Sequence, residues 1–454
     1  MTTLIRALAT TFPIALAGTA LGQYDVQIID PIGSSLFASS SVTDVSNEGR
    51  AVGINVVNGV VSPFEWTAAT GVQPLATPLT GTGRINDLGD MLYPHTVVLA
   101  DGSQIVPPYV DGSVGFPSLR DMNDARIVVG SAPGSGTTSS IFIWDPSLGS
   151  RSIDIFAAKG LVRVSESGFA VGNAGTTEAS SHAFRVDVWT NEVFPLDSVL
   201  PPGVWSEAAD VNEHGAVTGR TATATASVAF AWSEVDGVRY LPGLDGGLAM
   251  HVHPRAIDDA GQVVGQALTP NGWDAFLWNP QTGMHNLNAL VTLPPGFDLQ
   301  EATDISETGV IVGRGYYGTS WGPNRGVILA PTSPWRYLGQ FKAGANGAPL
   351  LSGSGPLTPG SSGTIRLDDA PAGALALAVI SVSSLPTPFQ GGTLVPFPPQ
   401  VVLPLATASD GTRTVPFTVP TGLSGADVYF QFAVADPTAT QGTALSNALR
   451  ADFP

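Results

Sequence analysis

The sequence contains no cysteine in 454 residues. That absence excludes disulfide bonds, thiolate metal sites and cysteine nucleophiles. Because exported eukaryotic proteins of this length usually carry disulfides, an exported chain without cysteine indicates a bacterial protein. Charged residues are also scarce, at 12% of the chain, whereas glycine and proline number 53 and 37. This composition is typical of a protein built from many short strands and tight turns.

Basic side chains are few, with 19 Lys and Arg against 37 Asp and Glu, and the formal net charge is −18. Nucleic-acid binding needs clustered basic residues that displace counterions, and the sequence has no such cluster. The same charge disfavours anionic membrane surfaces. No stretch reaches the roughly 18 to 20 uninterrupted apolar residues of a membrane span, so we predict none.

The first 22 residues have the pattern of a signal peptide. Arg6 supplies positive charge, residues 7–21 are mainly apolar, and small residues stand at the −3 and −1 positions before Gln23. A buried N-terminal helix is the alternative, but Pro13 and the small residues argue against it. The sequence therefore predicts an exported bacterial protein, secreted or periplasmic.

One ten-residue pattern recurs seven times in the chain. Each copy has an apolar residue, two or three polar residues, a turn position and then an apolar strand. The copies cover residues 44–53, 84–93, 121–130, 163–172, 210–219, 256–265 and 304–313. Their turn positions lie roughly 40 to 48 residues apart, which is the period of a four-stranded propeller blade.

The turn position is glycine in every copy but one. Such a hairpin loop requires positive φ, which glycine adopts at no steric cost. The Asn, Asp and Ser side chains beside it can accept hydrogen bonds from nearby backbone amides and hold the turn. Arg126 occupies the turn position of the third copy, so we predict a strained or rearranged turn there.

A second element follows each turn by about 17 residues. Its large apolar residues alternate at i and i+2, which places them on one face of a strand. The clearest examples are Phe64/Trp66, Phe142/Trp144, Phe230/Trp232 and Phe276/Trp278. Each copy thus supplies four strands, and one such sheet exposes an apolar face and two edges. Closing the copies into a ring hides both.

The chain termini offer a way to close that ring. The seventh copy lacks a clear fourth strand after Leu329, and an unassigned strand at residues 24–30 precedes the first hairpin. We predict that this strand completes the last blade. The sequence therefore predicts an all-β fold with a seven-bladed β-propeller at residues 23–338, and an open solenoid is the alternative.

These motifs resemble the HAF-repeat family of exported bacterial proteins. The family pattern is a Leu-Gly-Gly-type turn, an Ala-x-Asp-Ile-Asn-x-x-Gly-x-Val-Val-Gly hairpin and Ala-Phe-x-Trp. Residues 241–247, 256–265 and 275–278 match it in that order. The resemblance covers about residues 24 to 335, and copies two and seven depart most from it. It implies a propeller-like repeat protein but no activity, because the family has no generally assigned function.

The repeat pattern ends near residue 338. Residues 339–362 are rich in Gly, Ser and Pro, which indicates a linker or a series of turns. Short apolar strands separated by turn signals then fill residues 363–454, and this spacing predicts a β-sandwich.

The sequence shows no convincing catalytic centre, cofactor site or metal site. His251 and His253 would place two imidazoles on one side of a strand, but no further ligand is evident and a metal site needs three or four. Nucleophile elbows, phosphate loops and dinucleotide fingerprints are absent.

Four hairpin aspartates recur at one position of the repeat: Asp44, Asp121, Asp210 and Asp304. A ring of carboxylates could bind calcium. Arg84, Arg163 and Ala256 interrupt the series, however, so we favour turn capping.

Aromatic residues in two equivalent loops are the candidate ligand-binding residues. They are Tyr316, Tyr317, Trp321 and Trp273. Such side chains could stack on a sugar or a peptide, or pack against a neighbouring blade.

We therefore predict an extracellular binding scaffold whose partner is a polysaccharide or a protein. The alternative is a polysaccharide hydrolase or lyase with acids in the propeller channel. Inward-facing titratable groups with shifted pKa values would favour the enzyme, and a channel of Val, Ala and Gly would favour the scaffold.

Overall fold

The structure is a computed structural model that describes residues 23–32, 38–75, 82–108, 116–133, 139–175, 180–200, 205–222, 227–244, 249–318, 323–344 and 347–454. The predicted signal peptide lies outside these residues. The chain divides into two compact units, residues 24–330 and a unit that contains residues 331–454. Across the described part of the chain, helices are too short and polar to cross a membrane.

The unit at residues 24–330 consists of small antiparallel sheets, as the all-β prediction requires. Three of them are formed by consecutive strands close to the chain start and in its middle. The first contains β2 (Ser39–Val45), β3 (Ala51–Val57), β4 (Val60–Thr67) and β5 (Gly71–Pro74). The second contains β6 (Arg84–Ile85), β7 (Met91–Tyr93), β8 (Thr96–Val98) and β9 (Gln104–Ile105). The third contains β17 (Trp205–Val211), β18 (Val217–Ala222), β19 (Ser227–Ser233) and β20 (Gly237–Tyr240).

Two further four-stranded sheets end the unit. One contains β21 (Val252–Ile257), β22 (Val263–Thr269), β23 (Gly272–Asn279) and β24 (Gly283–Asn286). The other joins β25 (Phe297–Ile305), β26 (Ile311–Tyr317) and β27 (Arg325–Pro331) to the N-terminal strand β1 (Tyr24–Ile29), in the order β1-β27-β26-β25. The predicted closure of the last sheet by the first strand is therefore confirmed.

The third and fourth copies share one seven-stranded sheet. Its strands are β10 (Ser118–Met122), β11 (Val128–Pro133), β12 (Ser139–Asp145), β13 (Gly149–Val164), β14 (Phe169–Ala174), β15 (His182–Asp187) and β16 (Val193–Pro195). Strand β13 pairs with β12 through residues 149–158 and with β14 through residues 158–164. One long strand thus serves as the last strand of the third copy and the first of the fourth.

The sheets are held together by buried side chains on both faces. Every consecutive pair of copies shares one hydrophobic cluster. The last copy also shares one with the first, where Ile29 and Val312 pack with Val42 and Phe64. Both the Phe and the Trp of the Phe-x-Trp element are buried in these clusters. The order of contacts is therefore closed, as in a propeller.

The turns have the predicted hydrogen bonding in all seven copies. The side chain three residues before the turn position accepts a hydrogen bond from the amide that follows the turn. The turn glycines all have positive φ, and Arg126 adopts φ 60°. The strained turn predicted for the third copy is confirmed, and the Arg126 side chain bonds to the buried Asp90 carboxylate at 2.7 Å.

The last glycine of the repeat is explained by a bulge in the first strand. In six copies the pairing of the first two strands shifts by one residue. The bulge brings a first-strand carbonyl oxygen to 2.0–2.4 Å from where a Cβ on that glycine would lie. The second copy has Tyr93 at this position, and its strands pair without a shift. Glycine and bulge therefore occur together.

The second unit contains two sheets that share one hydrophobic core. The larger contains β28 (Trp335–Tyr337), β38 (Leu449–Asp452), β36 (Asp427–Ala435), β31 (Leu375–Ser381) and β34 (Val401–Ala406), with β37 (Thr443–Leu445) beside β36. The smaller contains β29 (Leu350–Ser354), β30 (Ser362–Asp368) and β35 (Arg413–Thr418). A hairpin joins β32 (Ser384–Phe389) to β33 (Gly392–Pro396). Strand β29 lies within the stretch for which the sequence predicts a linker.

Among the residues that the structure describes, helical structure is limited to single turns. One α-helix, α1 (Leu287–Leu290), follows β24, and 3-10 turns occur at Leu196–Ser198, Ala249–His251 and Thr440–Gly442.

Candidate functional site

The first strands of all seven copies converge on one cavity. Its volume is about 350 Å³, and residues from every copy line it. Because the first strand of each copy contributes, the cavity is the central channel of the closed ring. The lining is charged and polar, which differs from the channel of Val, Ala and Gly that would favour a scaffold.

A turn-acid ring joins the turns of the seven copies beside this channel. It consists of the residue two positions before each turn position: Asn47, Asp87, Asp124, Glu166, Glu213, Asp259 and Glu307. The side chain of each member accepts a hydrogen bond from the backbone N–H of the member before it, at 2.5–2.9 Å. The seventh bond runs from the N–H of Glu307 to Asn47 Oδ1, so the ring of bonds closes on itself.

A second, inner charged ring lies three residues earlier in each copy. It contains the four aspartates singled out in the sequence together with Arg84 and Arg163. The carboxylates of Asp44, Asp121 and Asp210 accept hydrogen bonds from the backbone of the next copy at 2.6–2.9 Å. Asp304 accepts one from the first copy at 3.1 Å. The capping role predicted for these aspartates belongs instead to the side chain two residues later, because their own carboxylates join neighbouring copies.

Burial and like charge shift the titration of the inner ring. Burial raises the pKa of Asp210 to about 6, although Arg163 acts in the opposite direction. Burial and the adjacent Asp44 carboxylate raise the pKa of Asp304 well above its usual value. Burial also raises the pKa of Asp121. The channel therefore contains titratable groups with shifted pKa values, which would favour an enzyme. Their carboxylates, however, accept hydrogen bonds that join neighbouring copies.

No calcium or zinc site accompanies these acids in the part of the chain that the structure describes. There, His, Asp and Glu side chains nowhere form a group of three that could hold a metal ion. The carboxylate ring considered for calcium is hydrogen-bonded to backbone amides instead.

A different set of charged residues lies further along the first strands. In β21, His253 and Arg255 precede Ile257, which donates its N–H to Asp210 in the inner charged ring. Four strand residues span about 13 Å, so His253 lies well away from the acids. Arg255 is the bulge residue of this strand and is exposed.

Arg255 shares a carboxylate with an arginine of the last copy. Its Nε bonds Glu301 at 2.7 Å, and Arg314 Nη2 bonds the other oxygen of Glu301 at 2.6 Å. Glu301 is buried, whereas the side chains of Arg255 and Arg314 are 44% and 36% exposed. One carboxylate therefore neutralises two guanidinium groups only in part.

Arg220 extends this positive region into the fifth copy. Its guanidinium carbon lies 5.4 Å from the ring centroid of Trp205, a cation–π distance. It also donates to Ser227 Oγ at 3.1 Å. Among the described residues, the buried Nε atoms of Arg220 and Arg314 have no hydrogen-bond acceptor.

Trp273 packs against the two histidines. Its ring centroid is 4.9 Å from that of His253 and 6.5 Å from that of His251. Burial and the charges of Arg220 and Arg255 lower the pKa of His253 to about 4, so its imidazole is neutral at neutral pH. We call Trp205, Arg220, His253, Arg255, Trp273 and Arg314 the arginine–tryptophan patch.

The three predicted aromatic residues that the structure describes lie in different surroundings. Trp273 is half-buried in the patch. Tyr316 is buried in β26, whereas Tyr317 is exposed and packs edge-on against Phe297 at 4.9 Å. Trp321 lies outside the described residues.

The sequence analysis did not identify the arginines of the patch. Arg220 and Arg314 each follow the last glycine of a repeat, and no other copy has Arg at that position.

No family model matches the sequence, and no curated protein matches it. Among solved structures, a prolyl endopeptidase gives a TM-score of 0.45 at 9% identity. The matched region is 74% of this chain and 56% of the endopeptidase chain. The extracellular domain of a putative hybrid two-component system from B. thetaiotaomicron gives a TM-score of 0.42 at 9% identity, and the matched region is 93% of this chain and 59% of that one. Dipeptidyl peptidase 4 of Porphyromonas gingivalis gives a TM-score of 0.38 at 8% identity, and the matched region is 71% of this chain and 57% of that one. This chain thus spans less than two thirds of each, and similarity at this level says nothing about activity.

Proposed function

We propose that the unit at residues 24–330 is a seven-bladed β-propeller of the HAF-repeat type and that the unit containing residues 331–454 is a β-sandwich, since β28 and β29 pair with strands of the second unit. Seven turns joined by seven hydrogen bonds support the blade count, if β13 is assigned to two blades. Two sheets around one core support the sandwich.

The function that this architecture supports best is that of an exported scaffold, secreted or periplasmic, that binds a polysaccharide. The observation that carries the proposal is the arginine–tryptophan patch. It combines two half-buried indole rings with exposed guanidinium groups, whereas the acids that line the channel are used in hydrogen bonds between copies. Aromatic faces and fixed charged donors are the groups that bind sugars without further chemistry.

A polysaccharide hydrolase or lyase is the second candidate. The raised pKa of Asp210, to about 6, favours it, because a carboxyl group that titrates near neutrality can act as a general acid. However, Asp210 accepts the N–H of Ile257 at 2.8 Å and lies beside Arg163 at 3.6 Å. A carboxylate fixed in this way joins blades, so the enzyme ranks second.

Both candidates can be tested with the full chain on a glycan array and in a parallel assay for new reducing ends or unsaturated products. We expect retention of glycan without product. Trp273→Ala should weaken retention about fivefold, since aromatic stacking contributes on the order of 1 kcal/mol. Trp189→Ala changes another half-exposed tryptophan and is the control.

Product release that Asp210→Asn abolishes would establish the enzyme instead. Retention of no glycan, with capture of a defined protein ligand, would overturn the polysaccharide proposal.

A further inference from the structure

We propose that the arginine–tryptophan patch binds the carboxylate group of an acidic sugar, as in a uronate-containing oligosaccharide. This inference rests on the proposed binding function and adds the chemical class of the ligand. Its basis is the charge, geometry and surroundings of three arginines that meet on neighbouring copies.

The patch has an excess of positive charge in a chain that is otherwise strongly acidic. Arg220, Arg255 and Arg314 are opposed by the buried Glu301 and by Glu207, which is the cross-strand partner of Arg220. Three guanidinium groups against two carboxylates leave one positive charge. A bound carboxylate would offset this remaining positive charge.

The arginine donors are incompletely used by the protein. Arg255 makes one bond through Nε to Glu301, and its terminal nitrogens have no bond to the described residues. Arg220 and Arg314 each have a buried Nε without an acceptor among those residues. A guanidinium fork matches the two oxygens of a carboxylate, so a carboxylate ligand would satisfy donors that the fold leaves open.

The two tryptophans indicate that the carboxylate is attached to a sugar. Trp205 lies beside Arg220, and Trp273 lies beside His253, so aromatic faces flank the guanidinium groups. Sugar rings present apolar C–H faces that stack on such rings. His253 lies close enough to Arg220 and Arg255 for their charges to lower its pKa, and it adds no positive charge at neutral pH. The arrangement suits one carboxylate between two pyranose rings.

The test is isothermal titration of the full chain with a tetragalacturonate, a neutral tetragalactoside and a sulfated tetragalactoside in 150 mM salt, at roughly physiological screening. We expect binding of the uronate and at least tenfold weaker binding of the neutral oligomer. Arg255→Ala should weaken uronate binding at least tenfold, since charge-assisted bidentate bonds are strong. Arg255→Lys keeps the charge but loses the fork, and should recover only part of the affinity.

Arg120→Ala is the matched control, because Arg120 is an exposed bulge residue in the third copy. Trp205→Ala provides a second variant that leaves every ion pair of the patch intact, should Arg255→Ala fail to fold. Equal binding of neutral and acidic oligomers would overturn the carboxylate inference and leave the scaffold proposal standing. Preference for the sulfated oligomer, or unchanged uronate binding by a folded Arg255→Ala chain, would also overturn it. Absence of binding to every glycan would overturn the scaffold proposal itself.

Discussion

The last glycine of the repeat provides the sharpest test of the fold. A Cβ added to Gly265 would lie 2.1 Å from the carbonyl oxygen of His253, whereas ordinary contact begins near 3.4 Å. The first two strands of the sixth copy would therefore have to separate by more than 1 Å. The obstructing atom belongs to the backbone and cannot rotate away. We expect Gly265→Ala to lower the free energy of unfolding by about 3 kcal/mol, the upper part of the range for overpacking.

Gly283→Ala in the same copy is the comparison. Gly283 has φ 87°, but nothing lies within 4 Å of its added Cβ. Its substitution should cost only the left-handed backbone strain of about 1 kcal/mol. The two variants thus separate steric overlap from backbone strain in one sheet.

Urea denaturation followed by tryptophan fluorescence is the assay. Trp335 is the one tryptophan outside residues 24–330, so the signal reports mainly on the repeat unit. The bulge explanation would be wrong if Gly265→Ala destabilised the chain no more than Gly283→Ala. A gain of stability on Tyr93→Gly, in the copy that lacks the bulge, would contradict it as well.

Three further predictions concern charge and ring closure. Burial raises the pKa of Asp210 to about 6, so its contribution to stability is present near pH 4 and lost as pH rises through 6, by about 3 kcal/mol. Asp210→Asn should remove that dependence in urea unfolding measured from pH 4 to pH 7, and an unchanged profile would exclude it. Arg185→Met should cost about 2 kcal/mol in urea unfolding, because its buried guanidinium packs on three aromatic rings. Arg239→Met removes a part-exposed ion pair with Asp236 and should cost under about 1 kcal/mol, and equal effects would refute the distinction. Deleting residues 24–30 should expose the edge of β27 and produce oligomers in size-exclusion chromatography; a stable monomer would show that β1 is dispensable.

The repeat pattern was sufficient to predict the strands and turns because both depend on local sequence. Neighbouring residues in the chain determine the positive φ of the turn glycines and the strain at Arg126. The closing role of β1 follows because the sequence leaves that strand without a partner of its own copy. The bulge was not predicted, since its signature is a glycine whose close neighbour lies on the other strand.

The candidate site was predicted less well, because it depends on contacts between copies. The inner aspartates recur visibly in sequence, but only the ring arrangement shows that each carboxylate bonds the next copy. The arginine–tryptophan patch combines residues from three copies, and no single motif contains it. Loop aromatics drew attention by composition, yet Tyr316 is buried in its sheet.

The pairing of β1 with β27 also has a consequence for how the ring is made. Asp30 and Arg325 form an ion pair across 295 residues of sequence. Until the final copy has left the ribosome, the first strand has no partner and both ends of the growing arc present bare strand edges. Contacts so distant in sequence form late and slowly. At high concentration, β1 of one molecule can pair with β27 of another before it pairs with its own. Delayed closure therefore favours exchange of first strands between molecules.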